Sequence, residues 1–242
     1  MGIRLTVVMF AYNEAENIGP VARETLEALD AARGVGIDDY QLVLVDDGSR
    51  DDTGAVIEAL AADNPRISPM SHGTNRGIGA AVKTGFSAAR MEYISILPAD
   101  GQVTVSELIK LLPGILDGAD MAVGYYTQRR AVDGNFRMVL SKGLRYCMNA
   151  FLGTQRPMDG VYMFKRELLK TLPLKSETFF VNLELPVRAI RAGLDVRSVP
   201  VEVKARRAGH SKVLGVRRIA RVGAEVVKFR GHLLMEKLDG RS

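Results

Sequence analysis

At 242 residues, 47% of them hydrophobic, the chain can bury a full core, and its length suits one large α/β domain or one domain with a short appendage. A single cysteine, Cys147, and the lack of a leading apolar stretch with a small-residue cleavage site argue against a disulfide-stapled secreted protein. No run reaches the roughly 18 to 20 apolar residues of a spanning helix, so the expected location is cytoplasmic, with any membrane contact peripheral at the inner face. The net charge of +5 favours anionic partners, a class that includes nucleic acid, acidic lipid and sugar phosphates.

The first hundred residues alternate strand and helix, the pattern of a parallel sheet with right-handed crossovers. Residues 5–10 read as a strand, 15–32 as a helix, 41–45 as a second strand and 53–63 as a helix for which Ser49, Asp51 and Asp52 offer N-caps. Residues 67–71 suit a short strand and 79–90 a helix entered through a glycine-rich turn. A fourth strand at 93–97 leads to a helix at 105–116, capped by Thr104. The second half is less regular: strand 120–124, a long amphipathic helix at 136–152, strand 161–164, helix 181–192, an alternating strand at 196–204, and a basic amphipathic helix at 213–238. No internal repeat or low-complexity tract is present.

Two apolar runs end in acid. Leu42-Val43-Leu44-Val45 stops at Asp46-Asp47-Gly48-Ser49, and Tyr93-Ile94-Ser95-Ile96-Leu97 stops at Pro98-Ala99-Asp100-Gly101-Gln102. Buried parallel strands that deliver carboxylates to their C-terminal edge build nucleotide and metal sites in open α/β sheets. Asn13 and Glu14 supply a third polar strand end. Asp46 and Asp47 suit hydrogen bonds from a base or a ribose, whereas Asp51 and Asp52 read as capping residues.

The turn Asn75-Arg76-Gly77-Ile78-Gly79 opens a helix and suits either phosphate binding or a purely structural role. It is not a Walker A loop, because no Gly-Lys-Ser or Gly-Lys-Thr follows the glycines, and no Gly-x-Gly-x-x-Gly follows the first strand, which disfavours common NTPases and dinucleotide oxidoreductases. Asp100, with the amide oxygen of Gln102, is the best hard-cation ligand pair. The three histidines, His72, His210 and His232, lack zinc spacing.

Taken in order, Ala11-Tyr12-Asn13-Glu14-Ala15-Glu16-Asn17-Ile18, Val45-Asp46-Asp47-Gly48-Ser49-Arg50-Asp51-Asp52-Thr53, Asn75-Arg76-Gly77 and Ala99-Asp100-Gly101-Gln102 resemble family 2 glycosyltransferases, nearest the dolichol- or polyprenyl-phosphate sugar synthases. The resemblance runs from about residue 5 to 212. It implies a GT-A fold, a Rossmann-like mostly parallel α/β sheet flanked by helices, over residues 1–212, followed by the basic helix at 213–242. The activity it implies is inverting transfer from a UDP- or GDP-sugar to a polyprenyl phosphate, with no nucleic-acid partner.

The residue roles carry over from the same resemblance. Tyr12, Glu14, Asp46 and Asp47 would hold base and ribose, with Asn75 and Gly77 in the adjoining turn, while Asp100 and Gln102 would hold Mg²⁺ or Mn²⁺ on the diphosphate. Arg137 and Ser141 match an Arg-x-x-x-Ser element that grips the lipid phosphate. At i and i+4 the two share one helix face. Arg206, Ser211 and Lys212 match an Arg-x-x-Gly-x-Ser-Lys loop that closes over the diphosphate.

The chain departs from the family at three places. Pro98 stands where relatives have the first metal-binding aspartate, so metal affinity should be weaker or a water should fill the gap. Tyr126 stands where they often have arginine, with Arg129 and Arg130 nearby, and Arg156 where they have aspartate.

A phosphate acceptor is already anionic and needs no base, which favours it. A hydroxyl acceptor would need one, and Asp159 and Glu184 are the candidates. A nucleotide-sugar-binding protein without turnover is the remaining alternative. In the last helix Val216, Ile219, Ala220, Val226, Val227, Leu233 and Leu234 form an apolar stripe, suited to packing on its own domain, to a homodimer, or to an anionic bilayer.

Overall fold

The computed structural model describes residues 2–127, 158, 160–204 and 216–238, with side chains of the last helix at 221–231 and 233. The described elements are β1 (Ile3–Ala11), α1 (Ala15–Ala31), β2 (Ile37–Asp46), α2 (Thr53–Asp63), β3 (Ile67–Ser71), α3 (Ile78–Ala88), β4 (Tyr93–Pro98), α4 (Val105–Ile109), α5 (Leu112–Leu116), β5 (Met121–Tyr126), β6 (Tyr162–Lys165), α6 (Leu168–Thr171), α7 (Val181–Arg191), β7 (Val196–Val201) and α8 (Val216–Leu238). The helix expected at 136–152 lies outside the described residues.

The strands form one sheet in the order β3-β2-β1-β4-β6-β5-β7. All neighbours run parallel except β6, which returns antiparallel between β4 and β5. Strand β1 is buried on both faces because its side chains alternate between two cores. Leu5, Val7 and Met9 face the core covered by α1, α2, α4 and α5, whereas Val8 joins Val43, Val45, Ile94 and Ile96 under α3, α7 and α8.

The helix expected to run unbroken over 105–116 is two short helices. Pro113 has no N–H to offer the carbonyl one turn back, so the chain breaks after Ile109 and restarts with the proline in the first turn of α5. The capping expectations are corrected as well. Thr104 and Asp52 occupy the cap positions of α4 and α2, but neither side chain makes a capping bond. Asp51 does that work for its loop instead.

Helix α8 docks on the second core. Val226, Phe229 and Leu233 are buried there, at spacings of three and four that keep them on one face. Phe229 meets the Phe180 ring edge-on at 5.2 Å and lies 4.9 Å under the Arg188 guanidinium. Burying three such side chains stabilises the docked helix by an amount on the order of 5 kcal/mol. Val227 was expected in this stripe but is 63% exposed, since it is rotated about 100° from Val226. Among the described residues no helix is long and apolar enough to cross a membrane.

Candidate active site

Strand register brings the polar strand ends together. Ala11 lies opposite Asp46 on β2, and Phe10 lies opposite Pro98 on β4, so Tyr12–Glu14, Asp46-Asp47 and Asp100–Gln102 leave the sheet at one level. The order of strands reverses here, with β2 and β3 to one side of β1 and β4 to the other. Such a switch point leaves a crevice beyond the carboxyl ends of the strands.

The loops at this edge are laced to each other. Asn13, at φ 51°, donates its amide to the Ser49 hydroxyl at 2.8 Å and accepts the Arg50 amide on its side-chain oxygen at 2.8 Å. Asparagine tolerates this left-handed backbone better than most residues. The Glu14 amide donates to the Thr53 hydroxyl at 2.8 Å, and the Glu14 carboxylate accepts from the Asn17 side chain at 2.7 Å. Asp51 accepts from the Ala15 and Thr53 amides and the Thr53 hydroxyl. Burial pushes its carboxyl upward, but those hydrogen bonds outweigh burial and hold it below the usual carboxylate value.

Asp46 and Asp47, at 6% and 4% exposure, are the buried acids of the edge. Asp46 accepts the Ser49 amide at 3.0 Å and so closes the β2–α2 turn. Asp47 is engaged more heavily. One oxygen accepts from His72 Nδ1 at 2.8 Å and the Arg76 amide at 2.9 Å; the other accepts from the Asn75 side chain at 3.0 Å and the Gly77 amide at 2.9 Å. A carboxylate offers about four lone-pair directions, and all are used within the protein. Asn75 and Gly77, expected as ligand contacts, are thus the donors that build the turn around Asp47.

Because a carboxylate only accepts, the network assigns the Nδ1 proton to His72. Its Nε2 lies 2.9 Å from the Thr84 hydroxyl, which can donate or accept, so both ring nitrogens have partners. Reading by motif missed His72. The available signal was position: Ser71 pairs with Asp46, so Ser71-His72 is a further polar strand end at the same edge. Gly48, at φ 68°, completes the packing, since a Cβ there would stand 2.3 Å from the Thr74 carbonyl carbon.

The β4 end is built differently. Gly101, at φ 69°, turns the chain so that the Gln102 amide donates to Asp100 Oδ1 at 3.1 Å. Asp100, Gln102 and Pro98 are all half-buried. A carboxylate and an amide oxygen are hard ligands, and Mg²⁺ ordinarily takes one or two carboxylates while substrate phosphates complete its shell. The donor set therefore fits such an ion, although among the described residues no three or more acidic, His or Cys side chains are grouped so that they could hold a metal ion by themselves. The Gln102 carbonyl accepts the Lys204 amide at 2.8 Å, and Glu107 accepts the Glu202 amide at 2.9 Å. The chain after β7 is thereby tied to the Asp100 turn immediately before Arg206.

Arg137, Ser141, Asp159, Arg206, Ser211 and Lys212 lie outside the described residues. On either side of Asp159, Met158 is buried, and a Cβ on Gly160 would stand 2.6 Å from the Gly124 carbonyl oxygen, so Gly160 passes tightly against β5. Glu184, the other base candidate, is 1% exposed. Its carboxylate accepts the Lys175 and Ser176 amides and Arg188 Nε at 3.1 Å. With no access to solvent and every contact internal, it is a structural ion pair rather than a base.

The model of the family described as Glycosyl transferase family 2 matches residues 6–182. Polyprenol monophosphomannose synthase of Mycolicibacterium smegmatis is 31% identical over 224 residues, 88% of this chain and 82% of that protein. Dolichol-phosphate mannosyltransferase of Pyrococcus furiosus is 26% identical across 88% of this chain, which spans 60% of that protein's length. Among solved structures, glucosyl-3-phosphoglycerate synthase of Mycobacterium tuberculosis, crystallised with Mn²⁺, UDP-glucose and phosphoglyceric acid, aligns with a TM-score of 0.70 at 23% identity, over 95% of this chain and 80% of that one. Mannosyl-3-phosphoglycerate synthase of Rubrobacter xylanophilus aligns with a TM-score of 0.70 at 21% identity, over 99% and 76%. At these identities the likeness is one of fold, and it is the expected GT-A architecture.

Proposed function

Because the chain belongs to glycosyltransferase family 2, we propose that it moves a sugar from a UDP- or GDP-sugar to a polyprenyl phosphate, with inversion at the anomeric carbon. The observation that carries this reading is the register that sets Tyr12–Glu14, Asp46 and Asp100–Gln102 along one edge at the switch point. The polyprenol-phosphate relatives favour the acceptor.

On this reading Tyr12, Glu14 and Asp46 flank the base and ribose. Asp47 acts indirectly, by holding the turn 75–77 against the crevice, because its oxygens already have partners. Asp100 and Gln102 would hold Mg²⁺ or Mn²⁺, which offsets charge on the departing nucleoside diphosphate when bound. Arg206, Ser211 and Lys212 come two to eight residues after Lys204, whose amide is tied to Gln102, and are assigned to the diphosphate. Arg137 and Ser141 are assigned to the acceptor phosphate.

An acceptor phosphate oxygen forms the new bond to the anomeric carbon as the bond to the nucleoside diphosphate breaks. That oxygen is already anionic near neutral pH, so the step needs alignment and no proton transfer to the protein. The sealed environment of Glu184 fits a reaction without a base. Arg221 and Lys228, exposed on α8 beside Val227, would offer a peripheral contact to an anionic bilayer carrying the lipid.

The test is a panel of labelled UDP- and GDP-sugars with Mg²⁺ or Mn²⁺, with and without polyprenyl phosphate. Label that becomes chloroform-soluble only with the lipid supports the proposal. Label confined to an aqueous acceptor would transfer the reading to a hydroxyl acceptor with Asp159 as base, and tight donor binding without release of nucleoside diphosphate would leave a binding protein.

A further inference from the structure

The loop 175–178 presents four consecutive amides to two carboxylates from different helices. Lys175 and Ser176 donate to Glu184 of α7, at 3.0 and 2.8 Å, while Glu177 and Thr178 donate to Glu225 of α8, at 3.1 and 3.3 Å. The Ser176 and Thr178 hydroxyls also donate to Glu225. A carboxylate that gathers two amides and two hydroxyls fixes the path of the backbone between them, because each donor would otherwise need water in a half-buried loop.

The opposite side of this loop is the seat of the α3 N-terminus. The Gly79 amide donates to the Glu177 carbonyl at 3.2 Å, and a Cβ on Gly79 would stand 2.4 Å from the carbonyl carbon of Glu177. Two backbones in such contact cannot shift independently. Two residues before Gly79, the Gly77 amide donates to Asp47, as does the amide of Arg76.

We infer that Glu225 is a positioning residue for the donor crevice: by holding the 176–178 backbone it presses Glu177 onto Gly79 and so sets the turn 75–77 around Asp47. The C-terminal helix is then a working part of the nucleotide edge. The inference rests on the proposed donor reading only for its kinetic consequence. The mechanical link is independent of it.

The experiment compares amide hydrogen exchange and donor kinetics in wild type, Glu225→Ala, Glu225→Gln, and Ala224→Ser as a control on the exposed face of the same helix. For Glu225→Ala the amides of Arg76, Gly77 and Gly79 should exchange about tenfold faster, while those of Val7 and Val43 in the central strands keep their protection. The KM for the donor should rise about five- to tenfold with kcat within about twofold. Glu225→Gln keeps one acceptor oxygen and should recover part of both effects; Ala224→Ser should match wild type.

Faster exchange confined to α8 and 175–178, or uniform acceleration across the sheet, overturns the inference, because Glu225 would then be a local or a general stability residue. An unchanged donor KM with altered exchange at 76–79 also overturns it. Should Glu225→Ala not fold, Thr178→Val removes a donor to the same carboxylate and is read in the same way. A wild-type protein that binds no UDP- or GDP-sugar would sink the donor reading instead, and the exchange data would still decide the link.

Discussion

The two acidic strand ends of this protein are built to opposite plans. At the end of β2, Asp47 is 4% exposed and its oxygens accept four hydrogen bonds from His72, Asn75, Arg76 and Gly77. At the end of β4, Asp100 is half-buried in a glycine turn with Gln102, at a position where the strand presents proline rather than a second acid. The first is complete before any ligand arrives, and the second has the chemistry of a site that a ligand completes. Similar sequence, an apolar run ending in Asp, therefore yields a structural acid in one place and a proposed reactive one in the other. What separates them is burial: His72 and the turn 75–77 close over Asp47, whereas Asp100 is only half-buried.

The contrast breaks most sharply under alanine. Asp100→Ala should lower metal-dependent turnover by about 10²- to 10³-fold and leave the urea midpoint closer to wild type than Asp47→Ala does, since Asp100 is half-buried and Asp47 is sealed in the edge. Steady-state rates with Mg²⁺ and Mn²⁺ check this; unchanged turnover would remove the metal assignment. Asp47→Ala should do the reverse, costing about 3 kcal/mol of folding stability because several donors lose their acceptor together. Chemical denaturation measures it. A loss confined to donor affinity, with stability intact, would mean that Asp47 contacts the nucleotide itself and that the two ends are alike after all.

Much of this edge was legible in the sequence. Parallel strands buried on both faces read as apolar runs, and an acid that stops such a run must emerge at the sheet's end, so Asp46, Asp47 and Asp100 fall where expected. The partners of Asp47 were not legible, because the Arg76 and Gly77 donors are backbone amides and carry no residue signature. His72 carried one, but only once β3 was seen to pair with β2 at Asp46. Pro113 marks the break between α4 and α5, although the apolar periodicity of 105–116 runs across it. The loop 175–178 offered nothing, since two carboxylates 41 positions apart in the chain, Glu184 and Glu225, meet there only through the docking of α8.

Pro98→Asp sharpens the comparison from the other direction, by giving the β4 end a second carboxylate. Residues 98 and 100 are two apart near a strand end, and Pro98 closes β4 opposite Phe10. Added to the hard oxygen set of Asp100 and Gln102, the new acid should raise Mn²⁺ affinity about tenfold, or about 1.4 kcal/mol. Without metal the paired acids should repel, so the variant should melt below wild type and recover when Mn²⁺ is added. Calorimetric titration and melting with and without Mn²⁺ measure both. Equal Mn²⁺ affinity in the two proteins would show that proline is not what sets the strength of this site.

The smallest effect belongs to acid. Burial pushes the Glu225 carboxyl upward, but the Ser176 and Thr178 hydroxyls and the Glu177 and Thr178 amides outweigh burial, and the net shift is below the usual value of 4.5. A carboxylate depressed in the folded state contributes stability that is full above its unfolded pKa and is lost as pH falls through the folded one. The advantage of wild type over Glu225→Gln should therefore be constant from neutral pH to about pH 5 and shrink below about pH 4.5, as the unfolded chain takes up the proton first. Glu184 and the remaining acids titrate in both proteins and cancel in the difference. Urea midpoints of the pair between pH 3 and 7 give the curve. A difference that stays flat to pH 3 would mean that the loop does not hold Glu225 ionised, and that the docking of α8 rests on its apolar face, which includes Val226, Phe229 and Leu233.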